Sequence, residues 1–476
     1  MSEISLLKRN SLYYFISSLA RLVANSLIFI IIARIFGAEE FGLFSTAHTL
    51  STLFLLLADF GFDILITTEI ARYRNDIRKI VSKYFPIKFV FTLAAAILLA
   101  ITNLLLPIPE SSKTLVFIFL FNMVFTSLLN LLFAFFRGIE KFKYEAIVSS
   151  ISNFGLLTVI GGLAYFQQDL VILAVSMVAI RLFSLIVAYT IFKKNLDKIV
   201  LNFNFVRLRV EFKKVMIFGF HLLFGTLFFQ IDSILILAIR GEFDAGLYQA
   251  VFKLMMISLI IPDVLVGALM PTLTRLYSNG DQKWMAINKV LFKCLYLTGL
   301  LVGFLFFSYP EFILDNIYKK TEFLDSVFIL KLAGIVVFIR YFFESFAASL
   351  TVCDKQSRRT ITVIVASFLS ISLNIIFLPI YGITVSIVIS IMVNFIAGVF
   401  YLTFVSKSFL LWFVDLKYVF PLLLIVFFST PFFNELINSE ITRIIVSVFI
   451  FVTLTLFINF SGKERQLLFA IKDNIA

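Results

Sequence analysis

Among the ionisable residues inside long apolar runs of this chain are Arg21, Arg181, Lys253, Lys331 and Arg340, and Asp59, Asp63, Asp232, Asp263 and Glu344. An ionised group at mid-membrane costs roughly 2.5–3.5 kcal/mol on insertion scales, so each needs a compensating role. The arginine fork matches phosphate bidentately. Arg21, Arg181, Lys253 and Arg340 could therefore line a cavity that attracts a phosphorylated or acidic ligand. The alternative for each is a structural ion pair or a side chain that snorkels to the membrane surface. Snorkelling is the expectation for Lys331, near a span end, and for Lys88 and Lys293, near the cytoplasmic ends of theirs.

The acids admit a similar pair of readings. Asp59 and Asp63 are four apart and share a helical face, and two close carboxylates resist ionising together, which suits proton binding. Asp263 follows Pro262, which should kink its helix and make a gate. Structural pairing of Asp59 and Asp263 with Arg21, Arg181 or Lys253 is the competing reading. Arg340 and Glu344 are also four apart and can pair. Asp232 falls toward the outer third of its span, where partial hydration is expected. His48 and His221 each stand alone and read as packing residues. Asn25, Asn153 and Asn374 read as bridges between helices.

No other chemistry has its parts. The two cysteines, Cys294 and Cys353, have no histidine cluster beside them, so neither a disulfide framework nor a zinc site is expected. There is no D-x-D, no H-E-x-x-H and no G-x-x-x-x-G-K-[ST]. Metal-dependent transfer and ATP hydrolysis by this chain are disfavoured, and no cofactor is expected.

These residues must be positioned by membrane-spanning helices. Apolar residues are 61% of the chain and charged residues 15%, against about 45–50% and 25% in soluble domains. The formal charge is +12, which in this solvent reads as cytoplasmic loop charge rather than a nucleic-acid surface. The stretch after MSEISLLKRN is too long for a signal-peptide core and reads as a retained first span. About fourteen spans fit: 11–36, 42–68, 86–106, 115–136, 146–166, 170–192, 216–239, 247–277, 285–308, 326–350, 360–381, 383–405, 417–434 and 441–460. LPIYGI (Leu378 to Ile383) separates spans 11 and 12 by a tight turn. With the N-terminus in the cytoplasm, inner segments hold 28 Lys and Arg and outer segments 6. That asymmetry places both termini inside. The phenylalanines are expected mostly to face lipid.

The chain also repeats itself. FGAEEFGLF (Phe36 to Phe44) and RGEFDAGLY (Arg240 to Tyr248) align at an offset of 204, which sets Gly37 on Gly241, Gly42 on Gly246 and Asp59 on Asp263. The glycines suit a close turn of the chain. A fainter echo at offset 221 sets Arg137, Ser149, Asn153 and Gly161 on Arg358, Ser370, Asn374 and Gly382. Spans 1–6 then recur as spans 7–12, two six-helix bundles related by a parallel pseudo-two-fold along the membrane normal, with two extra C-terminal helices. The expected division is an N-terminal lobe 1–200, a basic linker 201–215, a C-terminal lobe 216–405 and a tail 406–476.

ARIFGAEEFGLFS and LNIIFLPIYGITVS resemble polysaccharide exporters of the Wzx type, in the multidrug/oligosaccharidyl-lipid/polysaccharide exporter superfamily. The likeness runs over essentially the whole chain. It implies a flippase, not an enzyme, carrying undecaprenyl-pyrophosphate-linked oligosaccharide from the cytoplasmic to the outer leaflet of a bacterial inner membrane by alternating access. It further implies a cationic cavity, for which Arg21, Arg181, Lys253 and Arg340 are the candidates here; from their positions, Asp59, Asp63, Asp232, Asp263 and Glu344 are the candidates for gating or for coupling a proton or sodium ion. A monomer among membrane lipids, in contact with a polysaccharide polymerase and with no nucleic-acid partner, completes the expectation. A cation-coupled drug exporter and a lipid II flippase share the plan, although intramembrane cations disfavour the former. A membrane glycan polymerase or transferase would be expected to carry a large outer loop, and the longest one here is about 309–325.

Overall fold

The computed structural model describes residues 21, 23–72, 77–166, 169–195, 224–228, 230–405, 439–459 and 464. The expected span 417–434, the segment 201–215 and His221 lie outside the described residues. What is described is helical apart from short turns. In hydrocarbon the backbone has no water to bond, so long apolar segments must satisfy their own N–H and C=O groups as helices.

In order these are α1 (Val23–Phe36), α2 (Ala38–Asp59), α3 (Phe62–Arg72), α4 (Ile77–Leu105), α5 (Glu110–Gly138), α6 (Phe142–Tyr165), α7 (Leu170–Asn195), α8 (230–240), α9 (Glu242–Ser258), α10 (Ile260–Ser278), α11 (Lys283–Ser308), α12 (Pro310–Tyr318), α13 (Val327–Val352), α14 (Gln356–Tyr381), α15 (Ile383–Phe404) and α16 (Glu440–Asn459). Among the described residues ten helical segments are long and apolar enough to cross a membrane, with α1 a shorter apolar helix. The expected outer loop 309–325 has structure of its own, α12 followed by a 3-10 turn at Thr321–Ser326.

By internal packing the chain divides into Met1–Ala250 and Val251–Ala476. In the first unit α2 packs on α4 and α5, α5 on α3 and α7, and α6 on α7. In the second, α13 lies between α11 and α15, with α10 against α11 and α13, and α14 against α15. Phenylalanine serves both sides of this packing, which corrects the lipid-facing expectation. Phe41, Phe44, Phe119, Phe136, Phe192 and Phe292 are fully buried, whereas Phe117, Phe154, Phe183 and Phe395 are exposed.

The strong repeat is built as a repeat. Gly37 has φ +91° and Gly241 φ +90°, a conformation that L side chains rarely adopt. The next residue in each copy begins a helix, α2 or α9. Gly42 and Gly246 do not turn the chain, contrary to expectation, because both lie inside those helices. The fainter echo at offset 221 is out of register with the helices, whose matching boundaries differ by 214: α5 ends at Gly138 and α13 at Val352, α6 begins at Phe142 and α14 at Gln356. At offset 214 the two turns coincide bond for bond. Glu140 and Asp354 are left-handed, with φ +60° and +56°. Lys141 N–H donates to Phe136 O as Lys355 N–H does to Leu350 O, and Ile139 to Phe135 as Cys353 to Ser349.

Both copies of the second span are interrupted, at different points. α2 ends at Asp59, and Phe60 and Gly61 at positive φ separate it from α3. Asp59 and Asp63 therefore sit on two helices rather than on one face. In the other copy the interruption is at Leu259, ahead of Pro262 rather than at Asp263. The proline has no N–H for the carbonyl of Ser258, four residues back, and its ring crowds that carbonyl. The Tyr341 hydroxyl from α13 donates to the freed oxygen.

Candidate functional site

Among the described residues, three groups of polar side chains within the spans involve the expected site residues. The first closes the break after α2. Lys88 of α4 donates to Ala58 O at 3.0 Å and pairs with Asp59 at 2.5 Å. Ser127 and Asn130 of α5 each donate to the same carboxylate at 2.8 Å. Lys88 is 0% exposed, so it does not snorkel. The left-handed Phe60 releases a carbonyl and points an acid at α4, and a buried ammonium answers both. Asp63 senses the charges of Asp59, Lys88, Arg137 and Glu145, and its Oδ1 is buried without a hydrogen-bond partner among the described residues. Lys293, the other lysine expected to snorkel, is largely buried and pairs with Glu464 at 3.0 Å.

The second group lines one face of α6. Glu145, 1% exposed, accepts two hydrogen bonds from Arg137 at 2.7 Å. It also faces Arg21 at 3.8 Å. Two turns along the same face, Ser152 accepts from Arg181 Nη1 at 3.1 Å, while Arg181 Nε is buried without a hydrogen-bond partner among the described residues. Arg21 and Arg181 are near enough to repel. Two guanidiniums thus meet one carboxylate, and a third stands two turns along the same face. Sequence reasoning missed Glu145, which lies one residue outside the expected span, and it missed Arg137, which was read as loop charge.

The third group is in the second unit. Arg340 Nε donates to Asn394 Oδ1 at 2.9 Å, and Glu344 pairs with Arg359 at 3.4 Å. The expected Arg340–Glu344 pair is thus replaced by a partner for each from a neighbouring helix. Asp263 is exposed in the first turn of α10 and senses Arg340 and Arg359. Lys253 is partly buried on α9, two turns past Gly246. Asp232 is not hydrated: it is 3% exposed and accepts from the Tyr248 hydroxyl at 3.2 Å. His48 packs between Phe29 and Phe119 as expected. Asn374 bridges α14 and α15 through Ser386, while Asn153 bonds Ser149 within its own helix and Asn25 is exposed.

Within the first unit the two copies of the repeated segment touch. A Cβ on Gly42 would lie 2.0 Å from Glu242 O, and one on Gly246 would lie 1.7 Å from Ala38 O. Residues 38 and 242 are themselves counterparts at offset 204. The contact is therefore reciprocal, as a local two-fold requires. One turn further, Gln249 Nε2 donates to Thr49 Oγ1 at 3.3 Å.

A family described as polysaccharide biosynthesis protein matches residues 7–277, more than half of the chain. The chain belongs to that family. A relative from Escherichia coli (strain K12) named "Putative O-antigen transporter" is 25% identical over 152 residues, which is 32% of this chain and 37% of that protein. The fold is shared with a structure titled lipid II flippase MurJ in an inward closed conformation, at TM-score 0.71 and 16% identity, over 96% of this chain and 99% of that one. It is also shared with an inward-facing multidrug resistance MATE family transporter of the MOP superfamily, at TM-score 0.64 and 13% identity, over 80% and 92%. The chain is a multi-pass membrane protein with the helical fold of this transporter superfamily.

Proposed function

We propose that this chain is a flippase for a polyprenyl-diphosphate-linked oligosaccharide, moving it from the cytoplasmic to the outer leaflet of a bacterial inner membrane by alternating access. The observation that carries the reading is the arginine cluster along one face of α6: Arg21 and Arg137 on Glu145, and Arg181 on Ser152 within electrostatic reach of Arg21. An excess of guanidinium inside the spans suits a diphosphate, which arginine grips bidentately. A cationic drug would be repelled by the same cluster. Membership of a polysaccharide biosynthesis family and the relative named for O-antigen transport support the sugar part of the substrate.

In this reading Arg21 and Arg181 meet the diphosphate, and Lys253 and Arg340 are further candidate anion-binding cations within the second unit. Asp59 and Asp263 act in gating beside the bends of the two interrupted spans. The Gly42–Gly246 crossing seals the outer end, since the charge asymmetry puts Arg34 and Arg240 outside. The test is complementation of a strain that lacks its own flippase. Arg21→Ala and Arg181→Ala should each abolish surface polysaccharide while the protein still inserts at normal abundance. Full export by both variants would remove the cationic-cavity reading.

A further inference from the structure

Glu145 holds two arginines in unequal ways. Arg137 grips it through two bonds at 2.7 Å, with its side chain 20% exposed. Arg21 stands at 3.8 Å and is 40% exposed. The first is a fixed, charge-assisted fork; the second is at the limit of an ion pair and half in the open.

The matching turn of the second unit shows what the local fold needs. At offset 214, Arg137 corresponds to Thr351 and Glu145 to Arg359. There Arg359 Nη1 donates to Thr351 Oγ1 at 3.3 Å, and the same backbone bonds close the turn. The turn therefore forms with no acid at this position. The charge of Glu145 is surplus to the turn; besides Arg137 it faces Arg21, and the buried Asp63 lies within electrostatic reach. Arg181, seven residues further along α6 through Ser152, keeps a buried N–H without a hydrogen-bond partner among the described residues.

We propose that Glu145 is a positioning residue for anion capture: it parks the Arg21 guanidinium beside Arg181, and Arg21 transfers from it to the diphosphate of the incoming lipid. The proposal rests on the flippase reading. Arg137 keeps Glu145 neutralised after Arg21 has left, so capture strands no buried charge. No bond is made or broken; one long ion pair is exchanged for a shorter one to phosphate. Glu145 thus competes weakly with substrate, and that competition lets the lipid leave again on the far side.

The experiment measures binding of undecaprenyl diphosphate and undecaprenyl monophosphate to the full chain in lipid nanodiscs, with thermal unfolding in parallel. Glu145→Gln keeps a hydrogen-bonding partner for Arg137 and removes the competing charge. It should bind the diphosphate about two- to fivefold tighter, the range of one partly exposed ion pair, and the monophosphate with a smaller gain. Adding Arg21→Ala should erase the gain. A mere turn staple would instead lower the unfolding temperature and leave affinity unchanged or weaker. Unchanged affinity, or a gain that survives Arg21→Ala, overturns the proposal. Should Glu145→Gln not fold, Glu145→Asp, which keeps the charge for Arg137 but is one methylene shorter, must show the gain in the same direction. A wild-type chain that binds neither lipid removes the transport reading itself; wild-type binding without the gain removes only the positioning role.

Discussion

Replacing Gly246 by alanine should loosen the crossing of α2 and α9 and open the outer side of the protein. The new Cβ would stand 1.7 Å from Ala38 O, where ordinary contact begins at 3.4 Å. The two backbones must part by about 1.7 Å, and no side chain can absorb this because the obstructing atom is a carbonyl oxygen. Overpacking of this kind costs about 1–3 kcal/mol. If the crossing closes only in the inward-open state, the whole penalty falls on that state, and the equilibrium moves by a factor of roughly 5 to 150. Thr46 supplies the reporter. It lies one turn past Gly42, is 2% exposed, and its hydroxyl has no hydrogen-bond partner among the described residues, so cysteine there should perturb little. With Cys294 and Cys353 replaced by serine, Thr46→Cys should react slowly with a membrane-impermeant thiol reagent added outside. Gly246→Ala should accelerate that reaction by the factor above, and Gly42→Ala by a similar one. The double variant should gain less than the product, since the helices have already separated. Equal labelling rates in Gly246→Ala and the parent would refute the assignment of this crossing as the outer seal.

Other outcomes follow from the same packing. Lys88→Met leaves the Asp59 carboxylate without its counter-charge and should destabilise the protein by about 3–5 kcal/mol; adding Asp59→Asn should restore most of the lost thermal stability, and a double variant no better than the single would contradict the pairing. Tyr341→Phe should lower stability by about 0.5–1.5 kcal/mol by stranding Ser258 O, but should be nearly neutral in Pro262→Ala, where residue 262 regains an N–H for that carbonyl. Alanine at Gly334, whose Cβ would stand 2.6 Å from Gly303 O, should push α11 from α13 and cost about 1–3 kcal/mol, read as an earlier melting transition without a change in thiol access at position 46.

The crossing and the two breaks show how the site depends on partners distant in sequence. Lys88 was read as a snorkelling residue because its place near a span end is visible in sequence, while the broken helix it caps is not. The break comes from Phe60 and Gly61 leaving helical φ, and it is this bend that turns Asp59 toward α4. Glu145 escaped notice for the converse reason: hydropathy set it just outside a span, yet α6 extends three residues further and buries it. Arg340 and Glu344 satisfied the four-residue spacing of a helical pair, and each found a better-placed partner on another helix.

The sequence by itself determined the solvent, the helical class and the strong repeat, because each is written in residue type and in local or fixed-offset spacing. Apolar runs of span length must become helices in lipid, and Gly37 and Gly241 precede α2 and α9 alike. The tertiary structure alone decided that Gly42 and Gly246 meet face to face, that the second repeat of the turn runs at offset 214, and that two arginines converge on one glutamate. Those facts depend on where separate helices cross and how far each side chain reaches. No periodicity along a single chain encodes how closely a glycine on one helix approaches a carbonyl on another.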